Sequence, residues 1–208
     1  VIKTFGNKFN KPTKYPILYA KIEQGTRWLK GEYQYTRYSL RAEKKFNVKN
    51  IGRPSFYLET GLTNGRAPQH KLNNPIGTFT PFNIREIGII SENVFETMLP
   101  YEFFSSQYLH LHFRHNFGSL LFKVKKFKPD LIITSSAGFG SLSYQGYHGG
   151  EDFKTMEKGY YESGLILDKI IHIKSNTLGI GSFYRYGPYR LEKESDNVSV
   201  KINLGITF

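Results

Sequence analysis

The chain contains no cysteine, which excludes a disulfide framework and any thiolate-ligated metal. Acidic residues are scarce: 17 Asp and Glu stand against 29 Lys and Arg, a formal net charge of +12 over 208 residues. No apolar run approaches the ~20 residues that a spanning helix requires. That excludes a helical membrane protein but not a barrel, whose strands need ~10 residues, half of them free to be polar. No G-x-S-x-G nucleophile motif occurs, which removes the commonest serine-hydrolase signature.

The excess positive charge invites a nucleic-acid reading, but the cations are spread along the chain. Their densest cluster is Lys123, Lys125, Lys126 and Lys128 beside Pro129, the composition of a solvated turn near anionic headgroups. What the chain has in quantity is Tyr (15), Phe (17) and Gly (20) against a single Trp. Tyr and Phe favour strands, and Gly permits close backbone approach.

The sharpest pattern lies in the last twelve residues. Val198, Val200, Ile202, Leu204, Ile206 and Phe208 alternate with Asn197, Ser199, Lys201, Asn203, Gly205 and Thr207. Side chains on a strand point to opposite faces in turn, so one face is wholly apolar and the other is polar or small. The same test predicts strands over 15–23, 31–46, 55–62, 107–117, 130–142, 159–173 and 177–186. The segment 107–117 is especially regular: Leu109, Leu111, Phe113 and Phe117 oppose His110, His112, Arg114 and Asn116. Period two fits these windows better than 3.6, and helix caps are missing. The connections sort by length. Those at 47–54, 123–129 and 174–176 are short, whereas those at 63–106, 143–158 and 187–196 on the opposite side are longer, with 24–30 the exception. Short turns on one side and long loops on the other are the habit of outer-membrane barrels. The predicted fold is therefore all-β: an antiparallel transmembrane β-barrel contributing about eight strands here.

The polar faces collect His110, His112, Arg114, Glu162, Asp168, His172, Arg185 and Lys201. In hydrocarbon such groups would be costly, so they are expected to face a lumen. Two chemical alternatives accompany that expectation. His110 and His112 share a face and could share a metal. Asp168 and His172 share another and could do acid–base work, although strand geometry sets them about 13 Å apart along the chain. Gly138-Phe139-Gly140 and Gly179-Ile180-Gly181 lie inside alternating strands with no following helix, so they are read as relief of crowding where the wall bends or a loop enters, not as phosphate loops. No catalytic residue, metal or cofactor is assigned.

Several stretches carry a resemblance: Thr97-Met98-Leu99-Pro100-Tyr101-Glu102-Phe103-Phe104-Ser105, Phe117-Gly118-Ser119-Leu120-Leu121-Phe122-Lys123, Phe153-Lys154-Thr155-Met156-Glu157-Lys158-Gly159-Tyr160-Tyr161-Glu162 and Phe183-Tyr184-Arg185-Tyr186-Gly187-Pro188-Tyr189. With the final alternating strand, they resemble the surface-antigen (BamA-type) superfamily of outer-membrane barrels, in its branch with an N-terminal carboxypeptidase-regulatory-like domain. The resemblance implies a sixteen-strand barrel. Residues 1–208 would be its C-terminal half, with earlier strands and a periplasmic domain lying outside this chain. It also places the 63–106 loop where the superfamily's lumen-entering loop lies. That loop carries an Arg-Gly-Phe/Tyr tripeptide, absent here, with Met98-Leu99-Pro100-Tyr101 nearby instead.

The resemblance further implies that Lys201, Ile202, Leu204, Ile206 and Phe208 act as the C-terminal signal read by the outer-membrane assembly machinery. The expected protein is thus a non-enzymatic component of the bacterial outer membrane. It would assist assembly or export, or serve as a scaffold or channel, with membrane lipid, the assembly machinery and other envelope proteins as partners and no nucleic acid. Two alternatives stay open: a complete eight-stranded barrel that binds a small ligand or carries a membrane hydrolase activity, and a basic soluble β-protein whose aromatics stack on nucleic-acid bases.

Overall fold

Alternating segments rich in Tyr, Phe, Ile and Leu pair edge to edge along most of the chain. The computed structural model describes residues 2–4, 7–9, 14–28, 31–79, 88–119, 128–143, 154–173 and 175–206. Two short strands, β1 (Ile2–Thr4) and β2 (Asn7–Phe9), form a separate antiparallel pair. The remainder is one nine-stranded sheet. Its long strands are β3 (Ile17–Gly25), β4 (Gln34–Lys45), β5 (Arg53–Arg66), β7 (Gln107–Gly118), β8 (Asp130–Ser141), β9 (Met156–Ile173), β10 (Asn176–Tyr186) and β11 (Val198–Ile206). Each coincides, within a few residues, with a strand predicted by alternation. The ninth, β6 (Gly88–Ile89), was not predicted.

The order across the sheet is β3-β4-β5-β7-β8-β9-β10-β11-β6. Every neighbouring pair is antiparallel except β6, which runs parallel to β11 at Gly88–Lys201 and Ile89–Ile202. Among the described residues the sheet is open, with β3 at one edge and β6 at the other. No α-helix occurs among them, only 3-10 turns at Gln69–Lys71 and Glu194–Asn197. The connections from β4 to β5 and from β9 to β10 are short, as predicted, while the 67–106 segment between β5 and β7 is the longest.

The two faces have opposite chemistry. One carries Leu18, Ile22, Leu40, Phe56, Leu165, Ile180 and Leu204, all exposed; Ile22 is 72%, Leu165 57% and Leu204 55% accessible. The other carries the polar members of each alternation. Across β4 to β10, Glu43, Tyr57, His112, Ser136, Glu162 and Arg185 lie side by side in one row. Residues 67–79 and 88–106 fold over this polar face at β7–β11, which is why Arg185 and Lys201 are only 2% accessible.

Packing between segment and sheet is built on glycine. A Cβ on Gly138 would lie 2.9 Å from the Phe95 ring, one on Gly181 2.6 Å from Ile90 Cδ1, and one on Gly140 2.1 Å from Ser105 Oγ. Glycines on the polar face therefore receive side chains of the covering segment, the role expected of Gly138 and Gly140. Phe183, the apolar exception on the polar face of β10, lies in space left by Gly164, whose Cβ would come within 2.3 Å of its ring. Phe183 joins Ile132, Ile166 and Ile90 in one buried cluster, and Phe95, Met98, Phe103, Met156 and Tyr160 form another. The core thus lies between the 67–106 segment and the inner face of β7–β11.

Candidate functional site: a segment pinned to the polar face

Three charged residues of the sheet hold the covering segment. Glu162, from β9, accepts the backbone N–H of Glu96 at 2.9 Å on one carboxylate oxygen. Its other oxygen accepts the Thr97 N–H at 2.9 Å and the Thr97 hydroxyl at 2.6 Å. The Tyr160 hydroxyl, two residues along the same face, donates to Thr97 Oγ1 at 2.8 Å. Such charge-assisted bonds are the stronger class of hydrogen bond.

Arg185, from β10, makes a two-point fork with Glu102: Nη1 to Oε2 at 3.1 Å and Nη2 to Oε1 at 2.7 Å. Its guanidinium also lies 4.7 Å from the Tyr160 ring centroid, a cation–π distance. Lys201, from β11, spends all three ammonium protons: on Glu96 Oε2 at 2.6 Å, Thr78 O at 2.7 Å and Thr78 Oγ1 at 2.7 Å. Glu96 is itself oriented by the Ser91 N–H and the Thr78 hydroxyl, each at 2.8 Å. Charges removed from water must be paired in this way, because an unpaired one would cost several kcal/mol.

The residues singled out from the sequence fall into three groups. Glu162, Arg185 and Lys201 form the anchor just described. His110 and His112 are also buried, but Phe95 packs against them at ring-centroid distances of 5.6 and 4.8 Å. His112 Nδ1 lies 3.0 Å from Ser136 Oγ, and His110 Nε2 lies 3.4 Å from Asn73 Nδ2. Among the described residues no three metal-type side chains gather, here or elsewhere. Both histidines are thus satisfied by ring packing and neutral partners.

Arg114 and Asp168 line a cavity of about 850 Å3 at the short-turn end of the polar face, together with Lys44, Lys45, Arg53 and Lys169. Asp168 accepts the Lys169 N–H at 2.8 Å. His172 lies beyond an irregularity in the β9–β10 ladder, where Lys169 has a positive φ of 57°, and is exposed. Asp168 and His172 share no hydrogen bond, so the two are not brought together.

In the C-terminal strand, Lys201 points to the anchor and Leu204 to the opposite, exposed face. Ile202 is half-buried. The Ile206 side chain and Phe208 lie outside the described residues.

Sequence reasoning did not find Glu96, Glu102 and Thr78, the partners supplied by the covering segment. That segment has no period to read. Its one signal was composition: Phe95, Met98, Phe103 and Phe104 fall within a connection, which is more apolar surface than a solvated loop carries.

The molecule is therefore an all-β protein in which an open, mostly antiparallel sheet holds a long connection against its polar face by buried ion pairs. It belongs to a family of unknown function, DUF5686, whose C-terminal domain matches residues 2–149. No curated protein and no solved structure matches the chain.

Proposed function

We propose that this chain forms part of the wall of a bacterial outer-membrane β-barrel of the surface-antigen type, with a non-enzymatic role in the assembly or export of envelope proteins or as a scaffold or channel. One observation carries the reading: the sheet is inverted relative to a water-soluble one. Its exposed face is aliphatic and aromatic, and its charged face is covered over β7–β11. A water-soluble sheet has every reason to reverse this, whereas a wall between acyl chains and a polar interior requires it. Tyr184 and Tyr186, near one end of β10 on the exposed face, fit the amphipathic position that interfacial tyrosines favour.

An open sheet cannot sit in hydrocarbon with unpaired edges. On this reading further strands, from the same protein or another copy, pair with β3 and with the part of β11 that β6 leaves free. The alternation ending in Ile202, Leu204, Ile206 and Phe208 serves as the signal to the assembly machinery, since an unpaired edge can be captured by strand addition. The buried ion pairs hold the covering segment, with the cations Arg185 and Lys201 on the wall and the carboxylates Glu102 and Glu96 on the segment.

The test is fractionation of cells expressing the protein. The expected result is recovery with the outer membrane after an alkaline wash, release by detergent, and a heat-dependent change of mobility on SDS gels. Recovery in the soluble fraction without detergent overturns the proposal.

A further inference from the structure

A second polar space lies on the same face, away from the anchor. It is a chamber of about 330 Å3 between β4, β5, β7 and the covering segment, lined by Arg37, Arg41, Glu59, His70, Asn73 and His110. Such a volume has room for about ten waters at the liquid share of ~30 Å3 each, and falls at the small end of ligand pockets.

Its charges are unequally matched. Arg41 reaches Glu59 only at 3.5 Å, and the other Glu59 oxygen accepts the Tyr57 hydroxyl at 2.8 Å. Glu23 faces Arg37 in the ladder but is engaged by Lys71, Lys21 and Tyr35. Arg37 Nε is buried without a hydrogen-bond partner. Two guanidinium groups thus line one partly open space with a single carboxylate that already serves Arg41 and Tyr57, and an unmatched buried donor such as Arg37 Nε is costly.

We infer that this chamber binds a small sugar acid, a carboxylate carried on a hydroxylated ring. The planar forks of Arg37 and Arg41 match a carboxylate with two parallel bonds. His70 and Asn93, which line the space, offer both donors and acceptors, the pairing that hydroxyl groups need. Tyr57, which also lines the space, supplies flat apolar surface for the ring. A bare tetrahedral oxyanion would engage the guanidiniums alone and leave most of the volume and the neutral polar groups unused. The site does not depend on whether the opposite face meets lipid.

The experiment is calorimetric titration of the folded full chain with D-glucuronate, D-glucose and acetate. Saturable binding of glucuronate is expected, with glucose and acetate each weaker by about tenfold or more, because one charge-assisted fork and several hydroxyl bonds are each worth at least that factor. Arg37→Gln and Arg41→Gln should each weaken glucuronate by about tenfold with unchanged circular dichroism, and Arg114→Gln, outside the chamber, should not. Should either variant misfold, phenylglyoxal modification of the unaltered protein decides: glucuronate should protect Arg37 and Arg41 but not Arg114. No saturable glucuronate signal, equal binding of glucose or acetate, or absence of both variant effect and protection overturns the inference.

Discussion

Arg185 and Glu102, 83 positions apart in sequence, meet in a two-bond fork at 2.7 and 3.1 Å with both side chains almost completely buried. This pair ties the covering segment to β10. Removing either partner leaves a buried charge without its complement, at a cost of about 3–5 kcal/mol. Arg185→Ala and Glu102→Ala should each lower the unfolding midpoint strongly, while Arg185→Met combined with Glu102→Leu should recover much of the loss. Denaturant unfolding of the four proteins checks this. A double variant as unstable as the sum of the single ones would refute the pairing energetics.

Glu162 holds two backbone N–H groups and one hydroxyl of Glu96 and Thr97. Glu162→Ala strands those donors, at about 1–3 kcal/mol each. The expected result is faster hydrogen exchange at residues 96 and 97 and earlier proteolysis within the 67–106 segment, with the strands still protected. Unchanged exchange there would show that Glu162 does not hold the segment.

Gly164 and Phe183 are complementary in volume, since a Cβ at position 164 would lie 2.3 Å from the Phe183 ring. Gly164→Ala should destabilise by about 1–3 kcal/mol through overpacking. Adding Phe183→Leu should cost less in the Gly164→Ala background than in the parent, a coupling of about 0.5–3 kcal/mol in a double-mutant cycle. Strict additivity would contradict the packing.

Leu165 and Ile180 stand on the exposed apolar face. If that face meets acyl chains, Leu165→Lys should cost about 2–4 kcal/mol in refolding into lipid vesicles. If it meets water, the same change should stay within about 0.5 kcal/mol. The comparison measures the proposed membrane contact directly and independently of cell fractionation.

The strands were legible because alternation is a local property. Leu109 through Asn116 announces two faces without reference to any other part of the chain, and the Val198–Ile206 pattern does the same. Alternation fails where the ladder does. The irregularity at Lys169 separates Asp168 from His172, and nothing in the local sequence marks it, because a non-glycine residue with positive φ is held there by its neighbours. Nor could alternation assign Ile132, Ile166 and Phe183 a purpose on the polar face. They are apolar because Ile90 arrives from the distant 67–106 segment to cover them.

By itself, the sequence determined the all-β class, the eight long strands, and which side chains share a face wherever the ladder is unbroken, since a period of two follows from the backbone alone. Only the tertiary structure decided what those faces meet: that the polar one is covered by 67–106, that Glu162, Arg185 and Lys201 find Thr97, Glu102 and Glu96, and that His110 and His112 pack against Phe95. The reason is that a buried charge is tolerated only beside a complement, and these complements come from a segment without periodicity, brought there by the fold.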